Sequence, residues 1–105
     1  MGFEVILSAQ AGRDLESIVR FLAQRNPAAA ERLGNALIDD ALSLADFPRR
    51  GGLLRERPGF RRIVHRPWFV ILYRVDETRA LVEIVRFWDA RQDPAALAGL
   101  SLVQE

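Results

Sequence analysis

The stretch WFVILYRV, residues 68–75, constrains this chain most. It is almost continuously apolar, as expected of a central strand buried on both faces. Such a strand needs a partner on each side. Residues 60–65 read as one, broken by Arg66-Pro67, and residues 80–88 read as the other, reached through the polar turn Asp76-Glu77-Thr78-Arg79. Connections this short predict an antiparallel meander.

The cover for that sheet lies upstream. Residues 3–7 form a short apolar run that reads as a strand, and Ser8 is placed to cap a helix. Ala11, Leu15, Ile18, Val19 and Leu22 then recur at helical spacing along one face. Asn26-Pro27 stops this helix and caps the next, because proline disfavours helix before itself and suits a first helical position. A second stripe runs through Ala30, Leu33, Leu37, Ala41 and Leu44 until Phe47-Pro48 ends it. With almost no linker between them, the two helices should form an antiparallel hairpin. Residues 48–59, PRRGGLLRERPG, are a loop by composition. The expected order is β-α-α-β-β-β: an α+β fold with the helical hairpin on one face of a small, mainly antiparallel sheet. Residues 1–105 form one domain, in which 94–105 is a short helix or tail.

Composition narrows the function. Half of the 105 residues are hydrophobic and 28% are charged, which supports a folded domain rather than disorder. Cysteine is absent and there is one histidine, so no disulfide framework, thiolate zinc site or His-rich metal site is expected, and no cofactor. No apolar run is long enough to span a bilayer, and MGFEVILSAQ lacks a secretory leader. The expected location is the cytoplasm, with no membrane partner. All 15 basic residues are arginine, and the net charge is +1. That near-neutrality is only an average: the window 49–66 carries +6 and the remainder −5.

The simplest register sets Val75 opposite Ala80 and His65 opposite Trp68. It places Val64, Phe69, Ile71, Tyr73, Val82 and Ile84 on one sheet face, under the helices. The other face carries Arg61, Ile63, Val70, Leu72, Arg74, Leu81, Glu83, Val85 and Phe87. A face that mixes apolar and charged residues in this way suggests a partner surface.

Taken in order, VILSAQAGRDLESIVRFLAQRNPAAAERL, LADFPRRGG, RPGFRRIVHRPWFVILYRV and VEIVRFWDARQDP resemble the RelE/ParE superfamily of toxins from type II toxin–antitoxin pairs, also called plasmid stabilisation proteins. The resemblance spans nearly the whole chain and implies the β-α-α-β-β-β arrangement. It also implies a cognate antitoxin whose C-terminal segment wraps the toxin. RelE-like members cleave mRNA in the ribosomal A site, using a cluster of basic residues on the exposed sheet face to stabilise a charged phosphorane. ParE-like members poison DNA gyrase. Arg61 matches one of the ribonuclease basic positions, but Ile63 and Val70 occupy two others. Asp89 stands where many members have a histidine before Arg91. These departures place the chain on the ParE-like side, as a stoichiometric inhibitor of gyrase and not an enzyme. The alternatives are a ribosome-dependent endoribonuclease using Arg61, Arg74 and Arg91, and a degenerate toxin kept only to bind antitoxin. A homodimer and a toxin–antitoxin hetero-oligomer both stay open.

The candidate antitoxin-binding set is therefore Arg61, Ile63, Val70, Leu72, Arg74, Glu83, Val85 and Phe87. Arg49, Arg50, Arg55, Arg57, Arg62, Trp88 and Arg91 are the candidate target contacts, since an arginine fork pairs with carboxylate or phosphate. Each has a plainer reading. A charge run usually marks a solvated loop, Arg74 and Glu83 can be a cross-strand ion pair, and Trp88 can be core. His65 is the only histidine, and no positioned partner for base catalysis is visible in the sequence. Asp89 and Asp93 read as caps for a last helical turn at Asp93-Pro94.

Overall fold

The computed structural model describes residues 2–55 and 57–91. The elements are β1 (Glu4–Leu7), α1 (Ala9–Ala23), α2 (Pro27–Ser43), β2 (Gly52–Leu53), β3 (Phe60–His65), β4 (Phe69–Asp76) and β5 (Leu81–Asp89). Their order matches the expected one, with the two-residue β2 added inside the loop 48–59. Residues 94–105, like Asp93, lie outside the described residues. No helix among the described residues is long and apolar enough to cross a membrane.

Both helices start where the sequence supplies a cap. The Ser8 hydroxyl accepts from the Ala11 N–H at 3.0 Å, and the Asn26 side chain accepts from the Ala29 N–H at 3.0 Å, with Pro27 at the first helical position. Caps of this type contribute about 1 kcal/mol each. The helices lie close together at Gly34, where an added Cβ would sit 3.0 Å from a Val19 methyl.

The strands form one sheet in the order β1-β5-β4-β3-β2, with β1 parallel to β5 and every other pair antiparallel. The apolar run identified in the sequence becomes β4, the central strand. On the helix side, Ile71 and Tyr73 join Ile63, Phe69, Val82, Ile84 and Phe87 beneath Ala11, Leu37, Ala41 and Leu44. On the opposite side, Val70 and Leu72 close into a second, smaller cluster with Leu54 and Trp88, flanked by Phe60 and Val85.

Two features of register differ from the expected one. The β3–β4 turn uses three residues, Arg66 to Trp68, so His65 pairs with Phe69 and not with Trp68. A one-residue slip exchanges the faces of a strand. Ile63 therefore lies in the helix-side core, Arg61 pairs with Tyr73, and Val64 turns to the opposite face, where it is 56% exposed. The β4–β5 turn is shifted by two residues, with Val75 opposite Val82, which leaves the faces unchanged. Further along, Leu72 pairs with Arg86 and Tyr73 with Ile84, leaving Val85 as an extra residue. This bulge inverts the alternation after it. Phe87, expected on the open face, is buried under the helices, and Trp88 faces the other way.

β1 ends at Leu7, so the second half of β5 has no strand on that side. The start of α1 closes this edge. The Ser8 hydroxyl donates to the Val85 carbonyl at 3.0 Å, and Asp14 accepts from the Phe87 N–H at 3.1 Å. Arg86 donates twice to the same Asp14 carboxylate, at 2.6 and 3.0 Å. A bare strand edge is thus covered by side chains of the neighbouring helix.

Candidate functional site

The sequence gathered its candidate residues onto one open sheet face. The structure divides them among four places.

The first is the open face itself. Val70 and Leu72 lie there, but they are buried in the second cluster rather than displayed, because Leu54 and Trp88 pack on them. Trp88 is 8% exposed, with the Arg86 guanidinium 5.5 Å from its ring centre. What the face presents is charged or peripheral: Arg74 bonded to Glu83 at 2.7 Å, Phe60 with Arg57 and Arg74 over its ring at 5.0 and 5.9 Å, and the exposed Val64. Arg62 pairs with Leu72 along the ladder, and Val85 is half-buried at the bulge. The plainer reading of Arg74 and Glu83 as a cross-strand ion pair describes their geometry.

The second place is a ledge at the other face. Tyr73 is fully buried, and its hydroxyl donates to the Pro48 carbonyl at 2.8 Å and accepts from the Gly51 N–H at 2.9 Å. Burial pushes the Tyr73 hydroxyl pKa up, against the lowering effect of the Gly51 bond and of the Arg61 and Arg50 charges, so it stays protonated at neutral pH and can donate. Arg61, assigned by the simple register to the open face, instead donates to the carbonyls of Gly51 and Arg49 at 2.7 and 3.2 Å. Gly51 is required here: a Cβ would lie 2.5 Å from the Arg62 carbonyl and 2.6 Å from the Tyr73 hydroxyl. The clasped segment holds out Arg49, bonded to Glu77 at 2.6 Å, and Arg50, bonded to the Ser43 hydroxyl at 2.9 Å. Arg55 follows, exposed, beyond β2.

The third place is a groove of about 760 Å³ between the helices and the far end of the sheet. Its walls include Ile18, Phe21, Leu22 and Leu33 from the helices and Trp68 and Phe69 from the sheet, with Arg25, Asp89 and Arg91 at the polar margin. Arg91 stacks 4.1 Å from the centre of the Trp68 ring and grips Asp89 through two side-chain bonds of 3.0 and 2.7 Å. Asp89 is buried, which would raise its pKa, but the side-chain and backbone bonds and the charge of Arg91 outweigh this and hold it below the ordinary aspartate value. Asp89 ends β5 in an ion pair; it caps no helix in the described residues.

The fourth is His65. Its Nδ1 contacts the Asp40 carboxylate of α2, a partner invisible in the sequence because the two are 25 residues apart. Two residues that sequence reasoning passed over, Tyr73 as a clasp and Asp14 as an edge seal, gave no sequence signal beyond being a tyrosine in an apolar run and an acid off the helical stripe.

The three arginines of the possible ribonuclease set do not converge. Arg61 clasps a loop on the helix side, Arg74 pairs with Glu83 on the open face, and Arg91 lies beyond Asp89 at the other end of the sheet. Along β4, the five residue steps from Phe69, the partner of Asp89, to Arg74, the partner of Glu83, span about 17 Å. Among the described residues, no group of acids and histidines is arranged to hold a metal ion.

Comparison with known proteins adds the lineage. Residues 5–94 match the family described as the ParE toxin of the type II toxin–antitoxin system, parDE. The chain is 37% identical over 83 residues to "Toxin RelE2" of Caulobacter vibrioides, covering 79% of this chain and 90% of the relative. It is 36% identical over 93 residues to "Toxin RelE1" of the same organism, covering 84% and 94%. Among solved structures, it resembles one from the chromosomal ParDE system of P. aeruginosa, with a TM-score of 0.72 at 20% identity over 84% of this chain and 96% of that one. It also resembles one from the RelBE2 toxin–antitoxin complex of Mycobacterium tuberculosis, with a TM-score of 0.62 at 25% identity over 85% and 99%. The match over most of the chain, on the fold described above, makes this protein a member of the ParE toxin family of type II toxin–antitoxin systems.

Proposed function

We propose that this toxin arrests growth by stoichiometric contact with a protein target, DNA gyrase, and that a cognate antitoxin neutralises it. The observation that carries the reading is the dispersal of Arg61, Arg74 and Arg91. Phosphoryl chemistry on RNA needs cations converging on one phosphate beside a group that activates the 2′-OH. Here each arginine is committed to a different partner, and the histidine ring nitrogen Nδ1 is tied to Asp40 under α2. The solved toxin–antitoxin complexes among the structural neighbours support an antitoxin as partner.

A supercoiling assay with purified toxin tests the target. Inhibition that saturates with toxin dose is expected, and undisturbed gyrase at a large molar excess would sink the reading. The names of the Caulobacter relatives favour a second reading, ribosome-dependent mRNA cleavage. Primer extension after induction separates the two: new 5′ ends within translated codons would establish cleavage. Growth that continues when the chain is expressed alone would leave it an antitoxin-binding module.

A further inference from the structure

The ledge formed by the segment 47–51 has a charge imbalance that the folded structure creates. Arg61 lies against the backbone of residues 49–51, donating to the carbonyls on either side of Arg50. Arg49, Arg50 and Arg61 are thereby brought onto one short stretch of surface. Among the described residues, Arg49 has a carboxylate, that of Glu77. Arg50 bonds a neutral serine hydroxyl, and Arg61 bonds neutral carbonyls. Among the described residues, no acid pairs with either.

The ledge is also rigidly made. Tyr73 holds Pro48 and Gly51, Arg61 holds Arg49 and Gly51, and Gly51 leaves no space for a side chain. A guanidinium presented on such a support loses less entropy on binding than one on a free loop. Beside it stands Phe47, which is 66% exposed and whose carbonyl accepts from the Arg50 N–H at 3.2 Å. A large exposed aromatic beside an arginine is the composition of a protein-contact anchor.

We infer that Phe47, Arg50 and Arg61 form a docking surface for a protein segment that presents a carboxylate next to an apolar side chain. Arg49, on the same segment, already holds a carboxylate, that of Glu77. Phe47 makes an apolar side chain the better neighbour than a second phosphate, so a protein fits this surface better than a nucleic-acid backbone. The surface is separate from the open sheet face and from the groove at Trp68. It stands or fails independently of whether gyrase or the ribosome is the target.

The test is selection of peptides from a random 16-residue display library on the purified full chain, followed by fluorescence anisotropy with the enriched sequences. Enrichment of peptides carrying Asp or Glu beside an aromatic or aliphatic residue is expected. Their affinity should fall by roughly 10-fold in Phe47→Ala and again in Arg50→Ala. Arg20→Ala, which removes an exposed cation elsewhere, should leave it unchanged. Both ledge side chains are exposed, so the variants should keep the wild-type melting temperature, and that is measured alongside. The inference is overturned if no enriched peptide is sensitive to both substitutions, or if the sensitive peptides lack acids. It is equally overturned if a 20-base-pair DNA duplex, and no peptide, binds in a manner that Arg50→Ala abolishes.

Discussion

Tyr73 shows how one side chain serves two structures at once. Its ring fills the helix-side core, and its hydroxyl satisfies two backbone groups of the loop that Arg61 also grips. Tyr73→Phe keeps the volume and strands the Gly51 N–H and the Pro48 carbonyl in a buried site. A loss of about 1–3 kcal/mol is expected in urea denaturation. Asp89 gives a second residue-scale prediction, this time in pH. Its carboxyl titrates lower in the folded protein than in the unfolded chain, because the Arg91 bonds and charge outweigh burial. The stability it adds is therefore complete above the ordinary aspartate value, and it fades as the pH falls below about 4. Asp89→Asn should cost roughly 1 kcal/mol at pH 7, discounted for the half-exposed Arg91, with the difference from wild type vanishing on acidification.

At the scale of elements, the join between α1 and β5 matters more than its length suggests. Asp14 and Ser8 occupy backbone groups of β5 that no strand reaches, and Asp14 also pairs with Arg86. Both side chains of that pair are largely buried, at 10% and 22% exposure. Asp14→Ala leaves a half-buried guanidinium and an open N–H, and should cost roughly 3 kcal/mol. Arg20→Ala breaks the Glu16–Arg20 pair on the same helix, where both side chains are about two-thirds exposed, and should change stability by less than about 0.5 kcal/mol. Thermal denaturation of the two variants checks the contrast. The elements themselves were legible: the caps at Ser8 and Asn26, the span of β3 and the apolar run of β4 all follow from local chemistry. The bulge at Val85 was not, because nothing in LVEIVRFW marks which residue is unpaired.

Across the whole molecule, a single sheet is buried on both sides by unequal clusters, the larger under the helices and the smaller under Leu54 and Trp88. Since β4 contributes to both, the two should melt together. Leu72→Ala, in the smaller cluster, should destabilise the whole protein by about 2–5 kcal/mol. Tryptophan fluorescence and far-ultraviolet circular dichroism should report one coincident transition. Separate transitions would mean that the outer cluster is an independent layer.

The same double burial explains why the residues that the sequence gathers on one open face are not all displayed there. Alternation along a strand states which residues share a face, but not whether that face is covered. Val70 and Leu72 do lie opposite the helices, and they are nonetheless buried, because a segment read as loop folds Leu54 over them. Arg61 and Ile63 changed faces because the Arg66-Pro67 turn takes three residues where two were assumed. Class, element order and the central strand were thus determined by the sequence alone, since composition, periodicity and capping act over a few residues. Register, and with it the fate of each arginine, was decided only in the tertiary structure: contacts between distant residues, such as Arg61 on the carbonyl of Gly51 or Arg86 on Asp14, leave no local pattern to read.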